Sequence, residues 1–166
     1  KSYWKKLKNL NKNSIGIEIS NPGHQNNYMK FSKNQIKSIF KLSKFLITKY
    51  KIKPKNILGH SDIAPSRKKD PGEKFPWKYL AKYKIGIWYN LTKKNLKLRD
   101  CGVSIKEKNF FYNYLKKIGY CLKKKSKHSK YVIRAFQRRY RPTIINGKID
   151  KECFEIAKNL VKRGLN

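Results

Sequence analysis

Apolar residues recur at two different periods along this chain, and each period predicts its own element. Ser14-Ile15-Gly16-Ile17-Glu18-Ile19 alternates small or polar with apolar residues. That is the two-residue period of a strand, and it puts Glu18 on one face. Asn21-Pro22-Gly23 closes the stretch with turn chemistry. Ser32 and Gln35 then form a capping-box pair. Behind them Ile36, Ile39, Phe40, Ser43, Leu46, Ile47 and Tyr50 follow helical spacing, with Lys37, Lys41, Lys44 and Lys49 largely off that face. Pro54 ends the helical region, and Asn56-Ile57-Leu58-Gly59 reads as a short buried strand delivering His60 at its C-terminal end. Strand, crossover helix, strand and loop is α/β logic, with functional groups at the carboxyl edge of a sheet.

A second unit follows a polar, irregular stretch from Lys84 to Val103, within which Ile85-Gly86-Ile87-Trp88 closes the first unit. Ser104 and Glu107 make a second capping box. Helices are predicted over 105–118, ending at Gly119, over 129–140, ending before Pro142, and over 151–163, ending at Gly164. Asn146-Gly147 turns the chain ahead of Asp150, the N-cap of the last helix. The expected architecture is therefore α/β, a mixed sheet flanked by helices over 1–95, followed by a small three-helix domain over 103–163.

Composition narrows the class. With 39% hydrophobic and 13% aromatic residues the chain can bury a core, so overall disorder is excluded. No apolar run approaches the length that spans a bilayer. The net charge of +34, from 43 Lys and Arg against nine Asp and Glu, favours polyanions such as nucleic acid or an anionic envelope surface. The lysines are spread along the chain rather than gathered in one basic arm, which reads as solvated filler. No nucleic-acid recognition motif is present, so specific nucleic-acid binding is not expected. Cys101, Cys121 and Cys153 have neither an even count nor CxxC spacing; they read as buried small hydrophobes.

In a chain so poor in acids, the place where acids do occur is informative. The first 99 residues hold four, Glu18, Asp62, Asp70 and Glu73, and three of these lie within His60–Glu73. His60 and Asp70 can ligate zinc through imidazole nitrogen and carboxylate oxygen. A zinc-bound water, with its pKa near ~7, is a nucleophile at neutral pH. Glu18 could accept its proton as general base, and Lys68 could place its ammonium on the oxyanion of an attacked carbonyl. Asp62, two residues past His60, reads as structural, bonding loop N–H groups or orienting the histidine. The bland alternatives stand beside these: a satisfied histidine at a strand end, and a Glu18 salt bridge to a nearby lysine. His24 and His128, without sequence partners, are read as surface residues.

Three stretches together carry a resemblance: Ser14-Ile15-Gly16-Ile17-Glu18, Asn56 through Pro65, and Arg67-Lys68-Lys69-Asp70-Pro71-Gly72. They resemble the zinc-dependent N-acetylmuramoyl-L-alanine amidases of the type 2 amidase family. Phe75-Pro76-Trp77 and Gly86-Ile87-Trp88 continue the pattern. The stretch Val132–Thr143 and Asn146-Gly147 are similar to the peptidoglycan-binding-like helical domain of the AmiD-like branch. The resemblance covers essentially the whole chain. It implies zinc held by two histidines and one aspartate, with a glutamate base and a lysine stabilising the tetrahedral intermediate. His60 and Asp70 match two ligands, Glu18 the base and Lys68 the lysine. The implied reaction hydrolyses the amide between the lactyl group of N-acetylmuramic acid and L-alanine of the stem peptide. The implied partners are peptidoglycan or muropeptides, and the implied location is the bacterial envelope or periplasm.

The family's first zinc histidine lies on a strand upstream of Ser14–Ile19, whereas thirteen residues precede that stretch here and none is a histidine. The first ligand, its strand and the adjoining helix are therefore expected to be missing from this chain. Its start at Lys1-Ser2-Tyr3-Trp4, without an initiating Met, reads as an internal position of a longer protein. Two functions compete on these grounds: a cell-wall amidase, and a non-catalytic peptidoglycan-binding remnant of one.

Overall fold

The computed structural model describes residues 2–92, 98–99, 101–122 and 126–163. The expected unit boundary at residue 95 and the helix stop at Gly164 lie outside these residues. Two short strands, β1 (Tyr3–Trp4) and β2 (Leu7–Lys8), pair antiparallel with Trp4 opposite Leu7. Lys5 and Lys6 both take positive φ in the connection, which is what a two-residue hairpin turn demands. A 3-10 turn at Leu10–Asn13 follows, then a stretch without helix or strand that turns at His24–Asn26 and runs to Ser32.

Six α-helices complete the α/β architecture among the described residues. They are α1 (Lys33–Tyr50), α2 (His60–Ile63), α3 (Trp77–Ala81), α4 (Ile105–Ile118), α5 (Ser126–Tyr140) and α6 (Lys151–Lys162). The predicted starts of α1 and α4 carry complete capping boxes, Ser32 with Gln35 and Ser104 with Glu107. Asp150 caps α6 by accepting from the Cys153 amide. Helix α5 begins three residues before its predicted start.

Two apolar clusters share the work of burial. In the larger one Phe111 and Leu115 of α4, Val132 and Phe136 of α5 and Ile156 of α6 are fully buried. The N-terminal hairpin inserts Trp4 into that cluster, edge-on to Tyr120 at 5.0 Å between ring centroids. Gly119 makes room for it: a Cβ there would lie 2.4 Å from the Trp4 ring, and its φ of +136° suits glycine. The smaller cluster joins Ile39 of α1 to Phe75, Trp77, Leu80 and Ile85. Trp88 packs against both.

Two predicted strands are corrected. Ser14–Ile19 is extended but carries no strand ladder, and Ile15 and Ile17 are 50% and 39% exposed. Pro54–Asn56 is a 3-10 turn, and Ile57–Gly59 continues as unpaired extended chain. A strand exists only through its neighbour's backbone groups, and no second strand lies beside either stretch among the described residues. On α1 the predicted face is buried at Ile39 and Ser43, but Tyr50, the helix's last residue, is 53% exposed. Cys153 is buried as expected, Cys121 half-buried, and Cys101 exposed.

Candidate active site

The loop that carries the chemistry is held from beneath by one buried carboxylate. Asp62, on α2, accepts from the Gly59 amide at 2.9 Å, from the Tyr120 hydroxyl at 2.6 Å and from Arg139 Nη1 at 2.5 Å. The structural reading of Asp62 thus holds, and it bonds a loop N–H. Burial and the neighbouring Asp62 charge push the Tyr120 hydroxyl far above its ordinary pKa, so it remains a donor. Arg139 also donates from Nη2 to the Ile57 carbonyl at 2.9 Å, and its guanidinium lies 4.0 Å from the Trp77 ring centroid. Sequence reading missed Arg139 and Tyr120 as partners of this loop. Nothing local marks them, since they stand 77 and 58 residues from Asp62.

The two legs of the loop are joined above this anchor. The Ser61 amide donates to the Asp70 carbonyl at 3.0 Å. Pro71 packs so closely on Gly59 that a Cβ at Gly59 would lie 2.8 Å from the proline ring. The result brings together the two predicted ligands: His60 Nδ1 lies 2.9 Å from Asp70 Oδ2. Both side chains are open to solvent, 42% and 57% exposed.

The other predicted residues stand apart from this pair. Glu18 lies exposed on the extended stretch with no hydrogen bond or ion pair among the described residues. Lys68 is half-buried; its amide donates to the Ala64 carbonyl, and its side chain touches neither His60 nor Asp70 by hydrogen bond. His24 is exposed, as read, and His128 is half-buried, but each has a partner far off in sequence or on a neighbouring turn. His24 Nε2 bonds Glu73 Oε2 at 2.9 Å while its ring stacks on Tyr28, and His128 Nε2 bonds the Cys121 carbonyl at 3.2 Å. Burial alone would raise the Glu73 pKa. The hydrogen bonds from His24 and from its own backbone, with the charge of Arg138, outweigh that and hold it below the usual range.

An imidazole nitrogen and a carboxylate oxygen suit zinc. Donors at about 2.1 Å in a tetrahedral shell sit roughly 3.4 Å apart, so the pair would open by about half an ångström to share an ion. The described residues hold no cluster of three His, Cys, Asp or Glu side chains that could close a metal site. His60 and Asp70 thus fit two positions of such a shell, with any further donor lying beyond the described groups.

The chain, loop and helices alike, is similar to known proteins. The profile of the family described as N-acetylmuramoyl-L-alanine amidase (Amidase_2) matches residues 3–73. The N-acetylmuramoyl-L-alanine amidase AmiD of Escherichia coli is 36% identical over 98% of this chain and 62% of its own length. Its structure, solved with anhydro-N-acetylmuramic acid-L-Ala-D-gamma-Glu-L-Lys, matches with a TM-score of 0.86 over 99% of this chain and 68% of that one. The chain belongs to the N-acetylmuramoyl-L-alanine amidase family. AmpDH3 of Pseudomonas aeruginosa is 32% identical, with a TM-score of 0.88 over 99% of this chain and 68% of its own. The 1,6-anhydro-N-acetylmuramyl-L-alanine amidase AmpD of Enterobacter cloacae is 36% identical over 46% of this chain and 38% of itself. The chain thus spans somewhat less than two thirds of the AmiD sequence, and its match to AmiD covers nearly the whole of it, loop and helical unit included.

Proposed function

We propose that this chain is the loop-bearing and helical portion of an amidase that cleaves the amide between N-acetylmuramic acid and L-alanine of peptidoglycan stem peptides. The observation that carries the reading is the His60–Asp70 pair, held at 2.9 Å on a loop anchored by Asp62. In this reading His60 and Asp70 are zinc ligands, joined by a donor outside the described residues. Zinc supplies Lewis acidity and a water acidic enough to attack at neutral pH.

This chain's own residues do the remainder. Glu18, free of competing partners, accepts the proton of the attacking water. Lys68 offers its ammonium to the charge developing on the attacked carbonyl oxygen. The proton on Glu18 passes to the departing L-alanine nitrogen; the C–N bond breaks to a lactyl carboxylic acid and a free peptide amine, and the acid's proton then goes to the amine, leaving a carboxylate and an ammonium. In this reading the amidase unit extends to about residue 95, the helical unit over 103–163 contacts wall material, and the protein works in the bacterial envelope. Its charge of +34 suits anionic surfaces there.

Incubation with an anhydro-muramyl tripeptide and added zinc, followed by mass spectrometry, tests the reading. Release of free tripeptide by the wild type, lost in Glu18→Gln and His60→Ala, is the expected result. The donor set, incomplete among the described residues, favours a second reading, in which the chain binds the wall without cutting it. Retention on purified sacculi with no tripeptide released from either substrate would support that second reading and overturn the first.

A further inference from the structure

The His60–Asp70 pair is too exposed to hold itself. Exposed ion pairs contribute about 0–1 kcal/mol, and side chains open to solvent on a loop sample several rotamers. Their geometry must come from the backbone that bears them. On the His60 side that backbone is secured by Asp62 and Arg139. On the Asp70 side the support comes from a different part of the chain, the segment 21–31.

That segment lies across the loop 70–75 and grips it at successive points. The Tyr28 hydroxyl donates to the Pro71 carbonyl at 2.8 Å and accepts from the Lys74 amide at 3.0 Å. Lys74 Nζ donates back to the Tyr28 carbonyl. His24 stacks on the Tyr28 ring at 4.4 Å and bonds Glu73, which also receives Arg138 of α5 at 3.7 Å. Phe31 meets Phe75 edge-on at 5.3 Å, closing the far end. Gly72 is the seat: with φ +87° it has no side chain where a Cβ would lie 2.3 Å from the Tyr28 hydroxyl and 3.1 Å from the His24 ring.

We infer that the segment 21–31 is a clamp whose Tyr28 hydroxyl, seated on Gly72 and braced by the His24–Glu73 hydrogen bond, sets the Asp70 carboxylate against His60. Tyr28 and His24 are positioning residues: they touch the loop behind Asp70, not the reacting groups. Their catalytic meaning rests on the proposed amidase reaction, while the clamp stands independently of it. Asp70 is reached through one peptide unit, since Pro71, whose carbonyl Tyr28 holds, is its neighbour.

The test reads the loop at a point the clamp does not touch. The Ser61 amide donates to the Asp70 carbonyl, so its hydrogen exchange reports whether Asp70 stays in place. Tyr28→Phe removes only the hydroxyl, and loss of its hydrogen bonds should speed Ser61 exchange about fivefold or more. The His60 Nδ1 nitrogen resonance should move with it, while exchange at Ala157, in the helical core, stays unchanged. His24→Ala should act in the same direction, and His24→Gln, which can still donate to Glu73, should restore the wild-type values. Ser61 exchange and the His60 resonance both unchanged in Tyr28→Phe would overturn the inference. Equal acceleration at Ser61 and Ala157 would overturn it too, because the contact would then support the whole fold. If the wild type releases no tripeptide from muropeptides, the amidase reading fails while the exchange comparison still decides the clamp.

Discussion

Arg139 Nη1, on α5, donates to Asp62 Oδ2, on α2, at 2.5 Å, and the two side chains are 2% and 1% exposed. This pair joins the helical unit to the loop that bears His60. Two charges this deep cost several kcal/mol each to desolvate, and the cost is offset only when the remaining lone pairs and protons are satisfied. Asp62 meets that condition with the Gly59 amide and Tyr120 hydroxyl. Removing one partner strands the other, so Asp62→Ala should cost about 3–5 kcal/mol. Urea denaturation of Asp62→Ala against wild type measures it. A loss below ~1 kcal/mol would mean that water reaches Arg139 and that the helical unit does not brace the loop.

The sequence made some of this legible and hid the rest for a physical reason. Helix α4 was predicted at its observed bounds because its signals are local: a capping box at Ser104, apolar residues at helical spacing, and Gly119 at the end. The Asp62 role was equally local, an acid at a tight turn bonding an amide three residues back. Ser14–Ile19 misled because alternation reports which faces differ, not whether another strand lies alongside. His24 was read as solitary because its partner Glu73 is 49 residues away. Contacts between distant segments leave no periodic trace in a single chain.

The four predicted site residues divide into groups that separate chemistry from stability. His60, Asp70 and Glu18 are exposed, so His60→Ala, Asp70→Ala and Glu18→Gln should each change stability by no more than about 0.5 kcal/mol. Under the proposed reaction each should nonetheless lower hydrolysis of an anhydro-muramyl tripeptide by about 100-fold or more. Lys68→Met should lower kcat by roughly 100- to 1,000-fold with little change in KM, because its charge is needed only as the oxyanion develops. Steady-state kinetics beside thermal melts checks both halves. A variant that melts early and loses activity in proportion would reassign that residue to the scaffold.

The three thiols sit in three environments, and reagent access should rank them. Cys101 is exposed and Cys121 half-buried. Burial pushes the Cys153 thiol up to about 12, which leaves almost no thiolate at neutral pH. Iodoacetamide at pH 7.5 should therefore label Cys101 first, Cys121 more slowly, and Cys153 only after denaturation. Peptide mapping at timed intervals gives the order. Early labelling of Cys153 under native conditions would show that α6 opens readily and that the core around it is looser than its burial implies.

Acid should loosen the contact between α4 and α6 before it reaches the core. Glu107 accepts from Lys151 Nζ on α6 and from the Ser104 amide at its own helix start. The Lys151 hydrogen bond, followed by that of the Ser104 amide, holds its carboxyl at about 2, against an ordinary value of 4.5. A carboxyl depressed in the folded state binds its proton more readily in the unfolded chain. Its contribution is therefore fully present above about pH 4.5 and is lost as pH falls from there toward 2. Glu73, lowered less by His24 and Arg138, adds in the same direction. Glu107→Gln keeps the shape and removes the charge, so melting temperatures of wild type and variant should differ at pH 7 and converge between pH 4.5 and 2. Two curves that stay parallel across that window would show that the Lys151 contact does not persist in solution and that the acid limb belongs to other carboxylates.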